Sequence, residues 1–374
     1  MSKYTFSFLA IVALIVTAAW SPLKPDKSTK IDKYLYVAVP GIRDYLEYGG
    51  HGILVYDIAD NYRLVKRIPT GGLKADGTPS NVKGVAVSLA TNSIYVSTLE
   101  ALQRIDLATE KIVWEKKYDG GCDRLSMSPD GKTIYLPTLE KEHWNVVDAA
   151  TGEVIKQVFT NSGAHNTLYG LDGTKVYMAG LRTSTLGISE TRNHDVIKQV
   201  GPFVSAIRPF TINGSQTLCY VNVNGLLGFE IGDLNTGKKL YHVEVKGFKQ
   251  GPVKRHGCPS HGIGLTPDEK EVWVCDAFNQ RMHIFDNTVM PPRQVASVEV
   301  RDQPGWITFS LDGKHAYPST GEIIDVKTRK TITKLQDEKG NPVMSEKVIE
   351  IHMNGTNAVK SGDQFGIGRV AKTK

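Results

Sequence analysis

The chain has 374 residues, 40% of them hydrophobic and 22% charged, which excludes a wholly disordered, collagenous or polytopic membrane chain. Its net charge of +6 comes without any run of four consecutive Lys or Arg. That excludes a concentrated nucleic-acid footprint and leaves mild support for an anionic ligand.

In chain order, Lys3 precedes an apolar run from Phe6 to Ala19 that closes in the small residues Thr17-Ala18-Ala19. This is a secretory signal pattern. The run is shorter than the roughly 20 residues that cross a bilayer, so an uncleaved anchor is the minority reading. Residues 1–19 are therefore expected to direct export to the periplasm or beyond, 20–33 to form a tail or linker, and 34–374 to form a single domain. No membrane span is expected in the mature chain. Export permits disulfides, but Cys122, Cys219, Cys258 and Cys275 are too few for a disulfide-built scaffold and leave three fully paired connectivities open.

From Tyr34 onward the chain repeats itself at about forty residues, the period of a four-stranded propeller blade. The clearest copy is Ser128-Pro-Asp130-Gly131-Lys-Thr-Ile134-Tyr135-Leu, followed by Trp144-Asn-Val-Val-Asp148. Apolar alternation marks the strands, and Pro-Asp-Gly and Thr-Gly mark the turns. An acid closes the third strand of each copy, at Asp57, Asp106, Asp148, Glu190, Asp233, Asp286 and Asp325, and seven markers predict seven blades. Tyr34 to Arg67 reads as three strands lacking an innermost one. Lys347 to Gly355 reads as one innermost strand with little after it. The expectation is an all-β, seven-bladed β-propeller of four-stranded blades, its closing blade shared between the termini and its blades buried face to face in one continuous core.

The Ser-Pro-Asp-Gly-Lys-Thr-Ile-Tyr-Leu phrase and Ile94-Tyr95-Val-Ser-Thr98 resemble YVTN-type repeats of the seven-bladed, lactonase-like β-propeller superfamily. The likeness runs from Tyr34 to about Gly366. It implies the fold; repeats of this kind serve enzymes, cofactor-binding domains and interaction modules alike.

Function is sought where the repeats differ. Counting back from the turn-side residue of each copy, the start of the innermost strands falls at Lys83, Asp123, His165, Ala206, His261, Gly305 and Lys347, with Arg124, Asn166, Arg208, Trp306 and Glu346 at the same level. A ring of imidazole, carboxylate and cation at a channel mouth costs desolvation and repulsion, and such clusters are enriched at sites. His165, His261, Asp123 and Glu346 are the catalytic candidates. Lys83, Arg124, Asn166, Arg208, Trp306 and Lys347 are the ligand-binding candidates.

His51, between glycines, joins His165 and His261 as a candidate triad for a divalent metal. His143 beside Trp144 suits loop packing better than a sugar platform. The spacing from Thr211 to Thr266 is 55 residues where other copies are about 40 to 44 apart, and the extra segment carries His256, Cys258 and His261. Those residues suit a metal, a disulfide, a nucleophilic thiol or an inert one. No Cys-x-x-Cys-His is present, so no covalent c-type haem is expected by that motif.

Two function classes remain. One is a hydrolase or lyase acting on a small oxygen-rich or anionic substrate, a sugar acid or lactone. The other is a non-catalytic propeller that binds a protein, polysaccharide or redox partner over its face.

Overall fold

The structure is a computed structural model that describes Met1 and residues 30–254 and 257–370. The expected signal segment and nearly all of the tail lie outside the described residues. Seven antiparallel sheets form the ring, six of four strands and one of five. Blade 1 consists of Val82–Ser88, Ser93–Thr98, Ala101–Asp106 and Ile112–Lys117, from the innermost strand outward. Blades 2 to 6 begin at Ser126–Met127, Ala164–Tyr169, Ile207–Ile212, Ile263–Leu265 and Ile307–Phe309. Among the described residues, no helix is long and apolar enough to cross a membrane.

Burial explains the strand sequences. In blade 1 the second strand, Ser93–Thr98, is buried at every position, whereas the outermost, Ile112–Lys117, is exposed at most positions. Inner strands are covered on both faces by neighbouring blades and so read as near-continuous apolar runs, while the rim strands face water. The core is not one continuous mass, which is what the repeats lead one to expect. It is divided into seven apolar clusters, one at each interface between adjacent blades. The cluster between blades 7 and 1, for example, joins Tyr36, Ile53 and Ile349 to Val85, Ile94 and Ile105.

The six aspartates that marked the repeat are turn caps, whereas Glu190 pairs with Arg192 instead. Asp106 Oδ1 accepts hydrogen bonds from the Thr109 backbone N–H and hydroxyl, and Asp148 does the same with Thr151. Three residues before the acid, five blades bury a polar side chain, Gln103, Asn145, Glu230, His283 and Glu322. Each clasps a neighbouring segment. Gln103 accepts from the Gly71 N–H, and Glu230 accepts from the Val204 N–H and holds His242 and Lys239.

Blade 7 closes the ring as expected. Val348–Asn354 is its innermost strand and pairs with Ile31–Val39, with Tyr34 opposite Ile351 and Val37 opposite Val348. Gly52–Asp57 and Arg63–Ile68 complete it. The first strand begins at Ile31, three residues before Tyr34.

Beyond the closing strand the structure corrects the expectation that little comes after it. Asn357–Ser361 adds a fifth strand on the channel side of Val348–Asn354, and residues 362–370 then cross the channel. The Val85 N–H donates to Gln364 Oε1, and Gln364 Nε2 donates to Leu125 O at 2.9 Å. The Trp306 indole N–H donates to Gln364 O. Gly366 O accepts from Thr211 Oγ1 and from the Leu265 N–H, and the Gly362 N–H donates to Glu350 O. The tail is thus bonded to blades 1, 2, 4, 5, 6 and 7. Gly366 has φ +58 and a Cβ there would lie 2.9 Å from the Gly264 Cα, so this crossing requires glycine. Phe365 and Ile367 are buried in the cluster between blades 3 and 4.

Removing the chain from Ser345 onward deletes the closing strand and should leave an insoluble protein with exposed strand edges. Removing only residues 362–374 should leave a soluble monomer destabilised by about 3–6 kcal/mol, the value of two buried large apolar side chains. Solubility, light scattering and denaturant melts of the two truncations check both outcomes.

Candidate functional site at the channel mouth

The start of the innermost strands brings most of the expected residues together. Asp123, on the approach to the innermost strand of blade 2, is buried and bonded to both neighbouring blades. Its Oδ1 lies 3.1 Å from Lys83 Nζ, and its Oδ2 lies 2.6 Å from His165 Nδ1. Burial pushes the Asp123 carboxyl up, but the charges and hydrogen bonds of His165 and Lys83 outweigh it and hold the group below the usual carboxylate range. Asp123 is therefore an anion, and it fixes the His165 ring while leaving Nε2 to exchange a proton.

A second chain of charges spans the channel. Arg124 Nη2 meets Glu346 Oε2 at 2.9 Å, and Lys347 Nζ meets the same oxygen at 3.0 Å while donating to Gly41 O at 2.9 Å. The Arg124 guanidinium also sits 3.3 Å above the Trp306 ring, so one side chain of blade 2 engages blades 6 and 7. All three charged groups are nearly fully buried. Burial lowers the Lys347 ammonium from 10.5 to about 7 against the pull of Glu346, with Arg124 and Lys83 adding repulsion. Burial likewise lowers Arg124 and Arg208.

Arg208, on blade 4, donates from Nε to Asn224 Oδ1 at 2.6 Å, and among the described residues no carboxylate forms an ion pair with it. Asn166 lies beside Arg124 through a backbone bridge and is buried, yet among the described residues its Oδ1 and Nδ2 have no hydrogen-bond partner. Together the mouth holds Lys83, Arg124, Arg208 and Lys347 against the carboxylates of Asp123 and Glu346.

Other expected residues fall elsewhere or are engaged differently. His261 is buried, donates from Nδ1 to Gly305 O at 3.0 Å, and lies beside Trp306. Ala206 and Gly305 occupy the remaining ring positions without polar side chains. His51 does not join His165: its Nε2 is bonded to Thr70 Oγ1 and Gly71 O, in the loop that enters blade 1. The three-imidazole metal triad is thus not assembled through His51, and among the described residues no three His, Cys, Asp or Glu side chains are grouped to hold a metal.

His256 lies outside the described residues. Cys258 is buried, with its thiol directed to Val223 O at 3.2 Å, and burial pushes it up to about 12, which removes it as a nucleophile at neutral pH. All four cysteines are buried, and among the described residues no disulfide joins them. His143 packs on Phe159, and Trp144 is buried with its indole N–H on Thr167 Oγ1, a loop-packing role.

No protein-family model matches the chain, and no curated protein matches it. Among solved structures it is similar to a chain of Kuenenia stuttgartiensis hydrazine synthase, with a TM-score of 0.58 and 14% identity over 76% of this chain and 90% of that one. The likeness is one of fold.

The depressed Lys347 group makes a pH prediction. Between about pH 7 and 10.5 the unfolded chain binds the proton that the folded protein has lost, so this lysine makes stability rise with pH across that window. Below pH 7 the full cost of burying the charge is present. Lys347→Met abolishes that component, so chemical melts at pH 7 and pH 10 should show the wild type gaining stability relative to the variant as pH rises.

Proposed function

We propose that the protein is an exported, YVTN-type and lactonase-like propeller whose channel mouth binds a small oxygen-rich anion, a sugar acid or lactone, and hydrolyses or eliminates it. The observation that carries this reading is the imbalance of charge at the mouth. Lys83, Arg124 and Arg208, joined below about pH 7 by Lys347, face two carboxylates, and one of those carboxylates orients an imidazole at 2.6 Å. A carboxylate ligand offsets the surplus through Arg208 and Lys83, in the charge-assisted bonds such groups make. The unpartnered Asn166 amide offers one donor site and one acceptor site to a substrate hydroxyl or carbonyl.

His165 supplies the proton transfer. With Nδ1 on the Asp123 anion, Nε2 takes a proton from a water attacking a lactone carbonyl, or from a carbon next to a carboxylate, and Asp123 stabilises the imidazolium that forms. A non-catalytic module is the second reading, and one observation favours it. Each mouth carboxylate is already paired between blades, so the network braces the ring without a ligand.

A panel of lactones and sugar acids separates the two. Turnover that falls about 100-fold or more in His165→Asn, with KM raised in Lys83→Met, supports the catalytic reading. Binding or turnover unchanged in both variants gives the field to the module. Export has its own measurement, because N-terminal sequencing of protein from the native host should find a mature chain beginning near residue 19 or 20. Recovery of a membrane-bound form that retains Met1 or Ser2 supports the anchor instead.

A further inference from the structure

We infer that the protein has a second small-molecule site, at the opposite end of the channel from the charged mouth, which takes an amphipathic monocarboxylate. The crossing tail covers the channel unevenly. It is hydrogen-bonded to the C-terminal ends of the innermost strands of blades 4 and 5 through Ile212 O and Pro267 O, but it touches blades 1 and 2 through Gln364. Between the tail and the C-terminal halves of the innermost strands of blades 1 to 3 there remains a cavity of about 320 Å³. That is the lower end of the range in which proteins hold small ligands.

The chemistry of the walls differs from that of the mouth. Val85, Leu125, Tyr169, Phe365 and Ile367 line the cavity and are buried side chains of the protein core. They present an apolar body of fixed shape, because Gln364 is clamped by Val85 and Leu125 at one end and the tail is pinned by Gly366 at the other. Two cations stand at the lining. Arg369 is neutralised by Asp363 at 2.7 Å, whereas Lys360 is exposed and makes no ion pair among the described residues. One unpaired cation over a chamber that is apolar over most of its wall, with Ser126, Ser128 and Ser361 among the apolar side chains, is complementary to one anionic head on a largely apolar body. The fit is to a medium-chain or aromatic monocarboxylate, and the mouth's dense charge network is no substitute for it.

Octanoate is the probe, with octanol as its uncharged counterpart, and calorimetry on the full chain is the measurement. Val359 lines the cavity and is exposed, so Val359→Trp fills the entrance without disturbing the core. Octanoate binding abolished by Val359→Trp, weakened at least tenfold by Lys360→Glu, at least tenfold weaker for octanol and unchanged in Lys83→Met is the expected result. Absence of octanoate binding to the wild type, or binding that survives both cavity variants, overturns the inference. Binding lost in Lys83→Met but retained in Val359→Trp places the probe at the mouth and overturns it equally. A circular-dichroism melt of each variant confirms that any loss is not unfolding; should Val359→Trp fail to fold, Leu171→Trp, at another exposed lining residue, replaces it.

Discussion

A ring of sheets has no natural end, and everything in this protein depends on how its two ends are joined. The pairing of Ile31–Val39 with Val348–Asn354 turns seven separate sheets into a cycle in which each apolar cluster has a blade on either side. Without it, two blades would each present a bare apolar face to water. The join is reinforced away from the ladder, where Ser345 donates to Ala38 O at 2.7 Å across 307 residues of sequence. It also sets the channel mouth, because Glu346 and Lys347 are the residues that lead into the closing strand. The ion pair of Arg124 with Glu346 and the hydrogen bond of Lys347 to Gly41 O therefore exist only in the closed ring.

Charge at the mouth is a consequence of this geometry. Seven innermost strands start close together, so side chains at one level must pack, pair or repel. Here they pair: Asp123 serves Lys83 and His165, and Glu346 serves Arg124 and Lys347. Sharing two anions among so many donors leaves the cations under-compensated. At groups this buried each missing partner is felt strongly, because a low local dielectric strengthens repulsion and attraction alike.

Much of the fold was legible in the sequence because blades are made locally. The Pro-Asp-Gly and Thr-Gly turns, the acid that closes each third strand, and the apolar alternation all sit within one repeat, so counting repeats counts blades. The level of the mouth residues was legible for the same reason, and Lys83, Asp123, His165, Arg124, Glu346 and Lys347 do meet. Other features were hidden. Which charge pairs with which depends on distances across the channel that no repeat encodes. His51 sits at the start of a third strand, farther from the axis than an innermost strand, and its glycine neighbours carry no information about radius. Residues 357–370 follow the last innermost strand, and nothing in their sequence announces that they are positioned by hydrogen bonds to six blades. The clasps at Gln103, Asn145, Glu230, His283 and Glu322 are invisible to a search of strands for apolar positions alone.

The crossing of the channel by residues 362–370 also sets a timetable. As the chain emerges, six blades can form from local pieces and Ile31–Val39 can pair with Gly52–Asp57, but the other edge of that first strand stays bare until Val348–Asn354 has been made. Pairings so distant in sequence are slow to form. Through that interval the protein is an open arc with an unfilled axis, and the final residues both shut the arc and fill its centre.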